Sequence, residues 1–307
     1  MQKTINRLSK YLDVIYAIKR IEDKYKEFCY RRLPDEEFIK KKFKKRFGRE
    51  PELENPKGYN DKLQWLKLNW YAPLAVKCAD KYGVREYVAE KIGAQYLNQL
   101  YGVYESVDEI DLEQLPKSFV LKATHGCGFN IICKDKTVMK WRKEYRRMRR
   151  WLKTNYFWKS REWVYKDIKP RIVCERFLED KGTGQLLDYK IFCFEGEPKI
   201  IQVDFDRFKN HRLNLYDLDW NLLDVEIKYP RDNSVIIEKP DKLELLLDLS
   251  RKLSREFPHV RVDFYYVEGK IYFGELTFFH ASGTGKFKPE EFDYVMGDWL
   301  KLPEKSK

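Results

Sequence analysis

The 307-residue sequence predicts an α+β fold, on three observations. Apolar positions recur at helical spacing through residues 1–93, and strand-like alternation dominates from residue 172 onward. Between them stands a strand, a glycine loop and a returning strand. Residues 1–50 read as charged amphipathic helices. Within them YLDVIYAIKRI at 11–21 has apolar positions 12, 14, 15, 18 and 21, a helix that packs on the body or a partner, with a membrane-surface helix as the minor alternative. In RLPDEE, Pro34 and the acids after it mark a helix start. Residues 56–93 continue helical through NDKLQWLKLNW and KYGVREYVAEKI, ending at Gly93. Strands follow near 97–104, 119–122 and 130–134, then a basic helix over 138–156. Further strands span 172–178, 187–194, 198–205, 212–217, 222–226, 260–267 and 270–278, interrupted by a single helix at 241–255. There is no internal repeat and no low-complexity linker.

Composition narrows the function classes. An apolar content of 43% is enough to bury a core across two or three subdomains. The six cysteines (29, 78, 127, 133, 174 and 193) include no CxxC pair, and four scattered histidines make no zinc pattern. Most of the cysteines read as small buried hydrophobes in a reducing cytosol, with Cys127 the exception. Cys127, inside the glycine loop, has no base partner that would make it a catalytic thiol. The N-terminus lacks a signal-peptide core and no run is long enough to span a bilayer, so a cytoplasmic protein is expected, with peripheral contact at the inner membrane face as an option. The net charge of +12 is concentrated in KKKFKKRFGR at 40–49 and WRKEYRRMRRWLK at 141–153. Neither run belongs to a nucleic-acid module, and no nucleic-acid partner is expected. Solvated helix faces are the ordinary reading, and an acidic glycan or anionic headgroup would feel the same field.

Two segments carry chemistry. Val260 to Gly285, VRVDFYYVEGKIYFGELTFFHASGTG, reads as two strands joined by a Glu-Gly turn. Period-2 geometry puts Arg261, Asp263, Glu275 and Thr277 on one face. Two carboxylates and a hydroxyl form a hard-oxygen set suited to Mg²⁺, which takes the rest of its shell from water and phosphate. An amphipathic hairpin with a salt-bridged outer face is the competing reading. Upstream, SFVLKATHGCGFNIICKD at 118–135 sets Lys122 at the mouth of a loop containing Gly126 and Gly128. Glycines admit backbone N–H groups close to phosphate oxygens, and the lysine adds a point charge. The GK[ST] ending of a Walker loop is absent.

The blocks NPKGYNDKLQWLKL, ADKYGVREYV, FVLKATHGCGFNII, DYKIFCFEGEPK and GKIYFGELTFFHASGTGKF, in this order from about Asn55 to Pro303, resemble the TupA-like branch of the ATP-grasp superfamily. The resemblance implies an ATP-grasp fold of two α+β lobes holding the nucleotide between them. It divides the chain into a helical N-terminal region (1–93), a glycine-loop lobe (94–170) and a metal- and substrate-binding lobe (171–307). It implies phosphate contacts for Lys81, Lys122 and Lys190, and a closing loop at Gly126 and Gly128 that carries His125. Glu175, Phe177 and Leu178 would meet adenine, and Asp188, after the insertion DKGTGQLL, would meet ribose. Asp263 and Glu275 would bind the metal, with Thr277 standing where asparagine is usual. Arg261 would steady the transferred phosphate and Lys286 would lie where the acceptor meets the acyl phosphate.

The implied activity is ATP- and Mg²⁺-dependent ligation of a carboxylate to an amine through an acyl phosphate. The branch is associated with cell-surface polysaccharide (capsule) and teichuronopeptide assembly, which suggests uronic acid carboxyls or an amino acid side chain as the acid. Members are often labelled glycosyltransferases, the alternative reading. Its DxD motif would have to be Asp204-Phe-Asp206 or Asp217-Leu-Asp219. A non-catalytic binding protein is disfavoured by the presence of Lys122, Asp263 and Glu275.

Overall fold

The computed structural model describes residues 28–180, 186–205 and 212–306. The helix expected over 11–21 and most of the insertion fall outside the described residues. The chain divides into two units, Met1–Glu50 with Trp158–Arg161, and Pro51–Phe157 with Glu162–Lys307.

In the first unit, helix α1 (Asp35–Phe47) begins at Pro34, with acids in its first turn and bases in its last, as the helix dipole favours. It stops at Gly48, whose φ of 78° allows its N–H to turn back to Lys44 O. Phe38, Ile39 and Phe43 are buried, whereas Lys41, Lys42, Lys44, Lys45 and Arg46 face solvent, so the first basic run is a solvated helix face. Arg161 is buried with its guanidinium 4.4 Å above Phe38 and its Nε 2.7 Å from Asp35.

The second unit opens with α2 (Tyr59–Asn69), α3 (Pro73–Ala79) and α4 (Val84–Lys91). One antiparallel sheet then forms from β1 (Leu100–Tyr104), β2 (Phe119–Ala123), β3 (Asn130–Cys133) and β4 (Ile172–Arg176), in the order β1-β4-β2-β3. Phe119, Leu121, Ile131, Ile172 and Cys174 make its core, closed by Met148 and Trp151 of α5 (Trp141–Leu152). The second basic run therefore lies on an amphipathic helix, with its arginines outward. Because β4 is hydrogen-bonded between β1 and β2, a lobe boundary at 170/171 cuts through this sheet, and the sheet ends at Arg176.

A second antiparallel sheet has the order β10-β9-β5-β6-β7, from β5 (Asp188–Phe194), β6 (Glu197–Phe205), β7 (Arg212–Tyr216), β9 (His259–Val267) and β10 (Lys270–Thr277). Helix α6 (Leu243–Ser254) packs on β5, β6 and β9. The strand expected at 222–226 is only β8 (Glu226–Ile227), paired with β11 (Phe287–Lys288). The strand expected at 172–178 ends two residues early, and 241–255 is not the last helix. Helix α7 (Phe292–Trp299) follows, and its short aromatic run gives too weak a helical period to predict. It is held by packing: Lys62 Nζ donates to Gly297 O and Leu300 O, both at 2.8 Å. A Cβ on Gly297 would lie 2.0 Å from Lys57 O. No helix among the described residues is long and apolar enough to cross a membrane.

Candidate active site

The hairpin brings the four residues to the one face expected of them: Glu275 pairs with Asp263 and Thr277 with Arg261. Directly opposed residues share a face, and a bulge at Gly274 adjusts the pleat so that Glu275 aligns with Asp263. Arg261 donates to Asp263 through Nε at 2.7 Å and a terminal nitrogen at 2.6 Å, a two-point grip. It also reaches Thr277 Oγ1 at 3.2 Å and lies 3.7 Å from Glu275.

The same face continues across the sheet. Lys190 on β5 stands opposite Asp263 on one side and Gln202 on the other, and Asp188 stands opposite Asp204. Lys190 is ion-paired to Asp188 and, at 2.9 Å, to Asp204, while Gln202 donates to Asp204 at 2.6 Å. All four are buried, so each charge needs its partner. Alternate strand residues such as Ile191, Val203, Val262 and Phe264 are buried on the opposite side, which makes this polar row a constructed feature of the strands.

The glycine loop is tied to this row by Lys81. Its backbone N–H donates to Thr124 O, its ammonium donates to Gly126 O at 2.9 Å, and the same ammonium lies 3.6 Å from Glu275. Both loop glycines are required. A Cβ on Gly126 would meet the Phe129 and Tyr156 rings at 2.9 Å, and Gly128 has φ of 75°. At the end of β2, Lys122 Nζ donates to Glu175 Oε2 at 2.7 Å, and Arg85 of α4 holds Oε1 of the same carboxylate at 3.3 Å.

Charge balance sets the protonation states. Burial pushes the Glu275 carboxyl upward, but Lys81, Arg261, Lys190 and Lys122 outweigh it and hold the group down at about 2. Burial raises Asp263 above the ordinary aspartate range against the pull of Arg261. Burial opposes the ammonium of Lys122, but Glu175 keeps it protonated well above neutral pH.

The predicted residues Lys81, Lys190, Asp188, Arg261, Asp263, Glu275 and Thr277 thus come together, with Lys122 and Glu175 paired nearby. Among the others, His125 differs from the loop-borne position expected of it. His125 is buried, its Nε2 2.9 Å from Trp151 O, so it sits beneath the loop rather than on it, and Cys127 is an exposed free thiol. Phe177 and Leu178 lie just beyond β4; Phe177 faces the Lys134 ammonium at 5.8 Å and Leu178 is buried. The Lys286 side chain is exposed, and its backbone carbonyl accepts from Lys228.

Gln202, Asp204 and Arg85 were not among the expected site residues. The first two were legible as polar alternates in the apolar strand IIQVDF. Asp204 is committed to Lys190, whereas Asp206 lies outside the described residues. Asp217 accepts from the N–H groups of Asp219 and Asn221 and so shapes a turn, an ordinary structural use of that sequence. Among the described residues no cluster of three or more carboxylate, histidine or cysteine groups could hold a metal ion. The hairpin offers two carboxylates and a hydroxyl, with Thr277 Oγ1 3.4 Å from Glu275 Oε1. That donor set suits an ion that takes its remaining ligands from water and phosphate.

Residues 61–301 match the family described as TupA-like ATPgrasp. The chain belongs to the TupA-like ATP-grasp family. Its fold is that of ATP-grasp proteins, two α+β lobes with a helical stretch before them. Among solved structures, this TupA-like chain is similar to the D-alanine–D-alanine ligase of Bacillus anthracis complexed with ATP (13% identity, TM-score 0.38), covering 72% of this chain and 57% of that one. It is similar to the L-amino acid ligase of Bacillus licheniformis at 12% identity and TM-score 0.45, over 80% and 56% of the two chains. It is similar to the D-alanine–D-alanine ligase of Helicobacter pylori at 15% identity and TM-score 0.41, over 81% and 70%. The chain spans little more than half the length of the first two. No curated protein matches it.

Proposed function

We propose that the protein is an ATP-dependent carboxylate–amine ligase. The observation that carries this reading is Lys81, whose single ammonium joins the glycine loop at Gly126 to the carboxylate of Glu275. A triphosphate entering between the loop and the hairpin would meet Lys81, Lys122, Lys190 and Arg261, cations now balanced by Glu175, Asp188, Asp204, Asp263 and Glu275. Asp263, Glu275 and the Thr277 hydroxyl would hold Mg²⁺, which when bound offsets charge on the β and γ phosphates.

A substrate carboxylate oxygen attacks the γ phosphorus, the bond to the β-phosphate oxygen breaks, and ADP leaves. Arg261 and the lysines stabilise the charge on the transferring group. An amine then attacks the acyl carbon, phosphate departs, and the amine loses a proton to leave an amide. The glycine loop excludes water that would otherwise hydrolyse the intermediate. No enzyme nucleophile is needed.

Glu175, Phe177 and Leu178 would receive adenine, Asp188 the ribose, and Lys286 the acceptor. The acid is a uronic acid of a cell-surface polysaccharide or its precursor. Incubation with MgATP, uronic acids and amino acids tests the reading: ADP and an amide mass should appear only when both substrates are present. UDP release from a sugar nucleotide without ADP formation would instead support a glycosyltransferase.

A further inference from the structure

Next to the glycine loop lies a cavity of about 320 Å³ walled by His125 and by residues 152–155 and 165–170. Of the residues assigned above to nucleotide or metal, only His125 lines it. His125 is 2% exposed. Its Nε2 is engaged with the Trp151 carbonyl, the backbone of Thr154 also meets the ring, and its Nδ1 has no geometrically formed hydrogen bond among the described residues. A carbonyl only accepts, so Nε2 carries the proton and Nδ1 is left with a lone pair. Burial, the largest influence on this ring, favours that neutral form. A buried acceptor without a donor is costly unless something entering the cavity supplies an O–H or N–H.

The same cavity has the opposite need at its cations. Lys153, Lys166 and Lys169 line it, against the single carboxylate of Asp167. Lys169 is paired with Glu105, which leaves Lys153 and Lys166 as the other cations of the lining. Lys166 stays in place through its ammonium 5.3 Å above the Phe157 ring and its carbonyl accepting from Asn155. We propose that this cavity binds a small hydroxylated carboxylate, whose hydroxyl donates to His125 Nδ1 and whose carboxylate lies between Lys153 and Lys166. His125 directly precedes Gly126, whose carbonyl Lys81 grips, so the occupied cavity braces the root of the glycine loop.

The proposal stands independently of the ligase reading, and its test needs no turnover. The chain has four histidines, so ¹⁵N-imidazole NMR of the full-length protein resolves His125, assigned by loss of its signal in His125→Gln. Titration with glycerate should shift the His125 Nδ1 resonance saturably, and propionate, which lacks the hydroxyls, should shift it far less. Lys153→Gln with Lys166→Gln should weaken glycerate binding about tenfold or more while the imidazole spectrum of the free protein is unchanged. In His125→Phe, calorimetry should show glycerate and propionate binding equally weakly. A His125 signal that ignores glycerate, equal responses to the two acids in the parent protein, or undiminished affinity in the double lysine variant would each overturn the proposal.

Discussion

Glu175→Gln should be the most informative single substitution for the stability of the site, because one carboxylate serves two cations. Lys122 is 2.7 Å from one oxygen and Arg85 3.3 Å from the other. The Glu175 side chain is 10% exposed, and those of Lys122 and Arg85 are 22% and 18% exposed. Removing one member of a fully buried ion pair costs about 3–5 kcal/mol, since the remaining charge is stranded. Here water reaches both cations at about a fifth of their surface, which screens them, so we expect ~2–3 kcal/mol. For a chain of this size that corresponds to a melting shift of about 3–5 °C. Lys122→Met should cost less, because Glu175 keeps Arg85 and the variant no longer buries an ammonium. The double variant should show coupling of ~1 kcal/mol or more between the two sites. Urea denaturation of the parent, both single variants and the double variant measures all three quantities. A Glu175→Gln protein within about 0.5 kcal/mol of the parent, or strictly additive effects, would refute the shared-carboxylate account.

Asp263→Asn and Glu275→Gln should each lower ATP turnover at least a hundredfold, about 3 kcal/mol of transition-state stabilisation, with circular dichroism unchanged; parent-like rates would remove the metal assignment. His259 is buried between Tyr59 and the Cys193 carbonyl, at 2.8 Å from each, and burial, helped by Arg261, depresses its pKa from 6.5 to about 3. Its stabilising contribution is therefore complete above pH 6.5 and is lost as pH falls toward 3, at up to about 1.4 kcal/mol per unit, with buried His280 acting in the same direction. Urea midpoints at pH 7, 6 and 5 should fall steadily, and less steeply in His259→Phe; a flat profile contradicts the assignment of a neutral ring. Gly297→Ala forces a Cβ against the Lys57 carbonyl and should destabilise by about 2 kcal/mol or more, read as a lower melting temperature.

The hairpin was legible because period-2 alternation pairs Arg261 with Asp263 and Glu275 with Thr277 along each strand, while the bulge at Gly274 that brings the two pairs onto one face is not visible in the alternation. The glycine loop was legible because only glycine satisfies the crowding at Gly126 and the positive φ at Gly128. What periodicity could not supply was pairing between distant strands. Asp204 and Gln202 join the site only through the β5–β6 register, and Arg85 only through the approach of α4 to β4. The same limit moved β4 into the first sheet, since strand order is a tertiary property. His125 was misplaced for a local reason. A polar residue beside two glycines reads as loop surface until the Trp151 carbonyl provides a buried partner for it.

The nucleotide dependence of melting tests the central claim most directly. A ligand that binds only the folded protein adds about 2.7 kcal/mol of stability at a hundred times its dissociation constant. MgATP should therefore raise the melting temperature of the parent by several degrees, and a UDP-sugar should not. Lys122→Ala should melt with a clearly smaller ATP-dependent shift, because its ammonium no longer meets the phosphates. An unchanged ATP shift in Lys122→Ala, or stabilisation by the sugar nucleotide in place of ATP, would contradict the account.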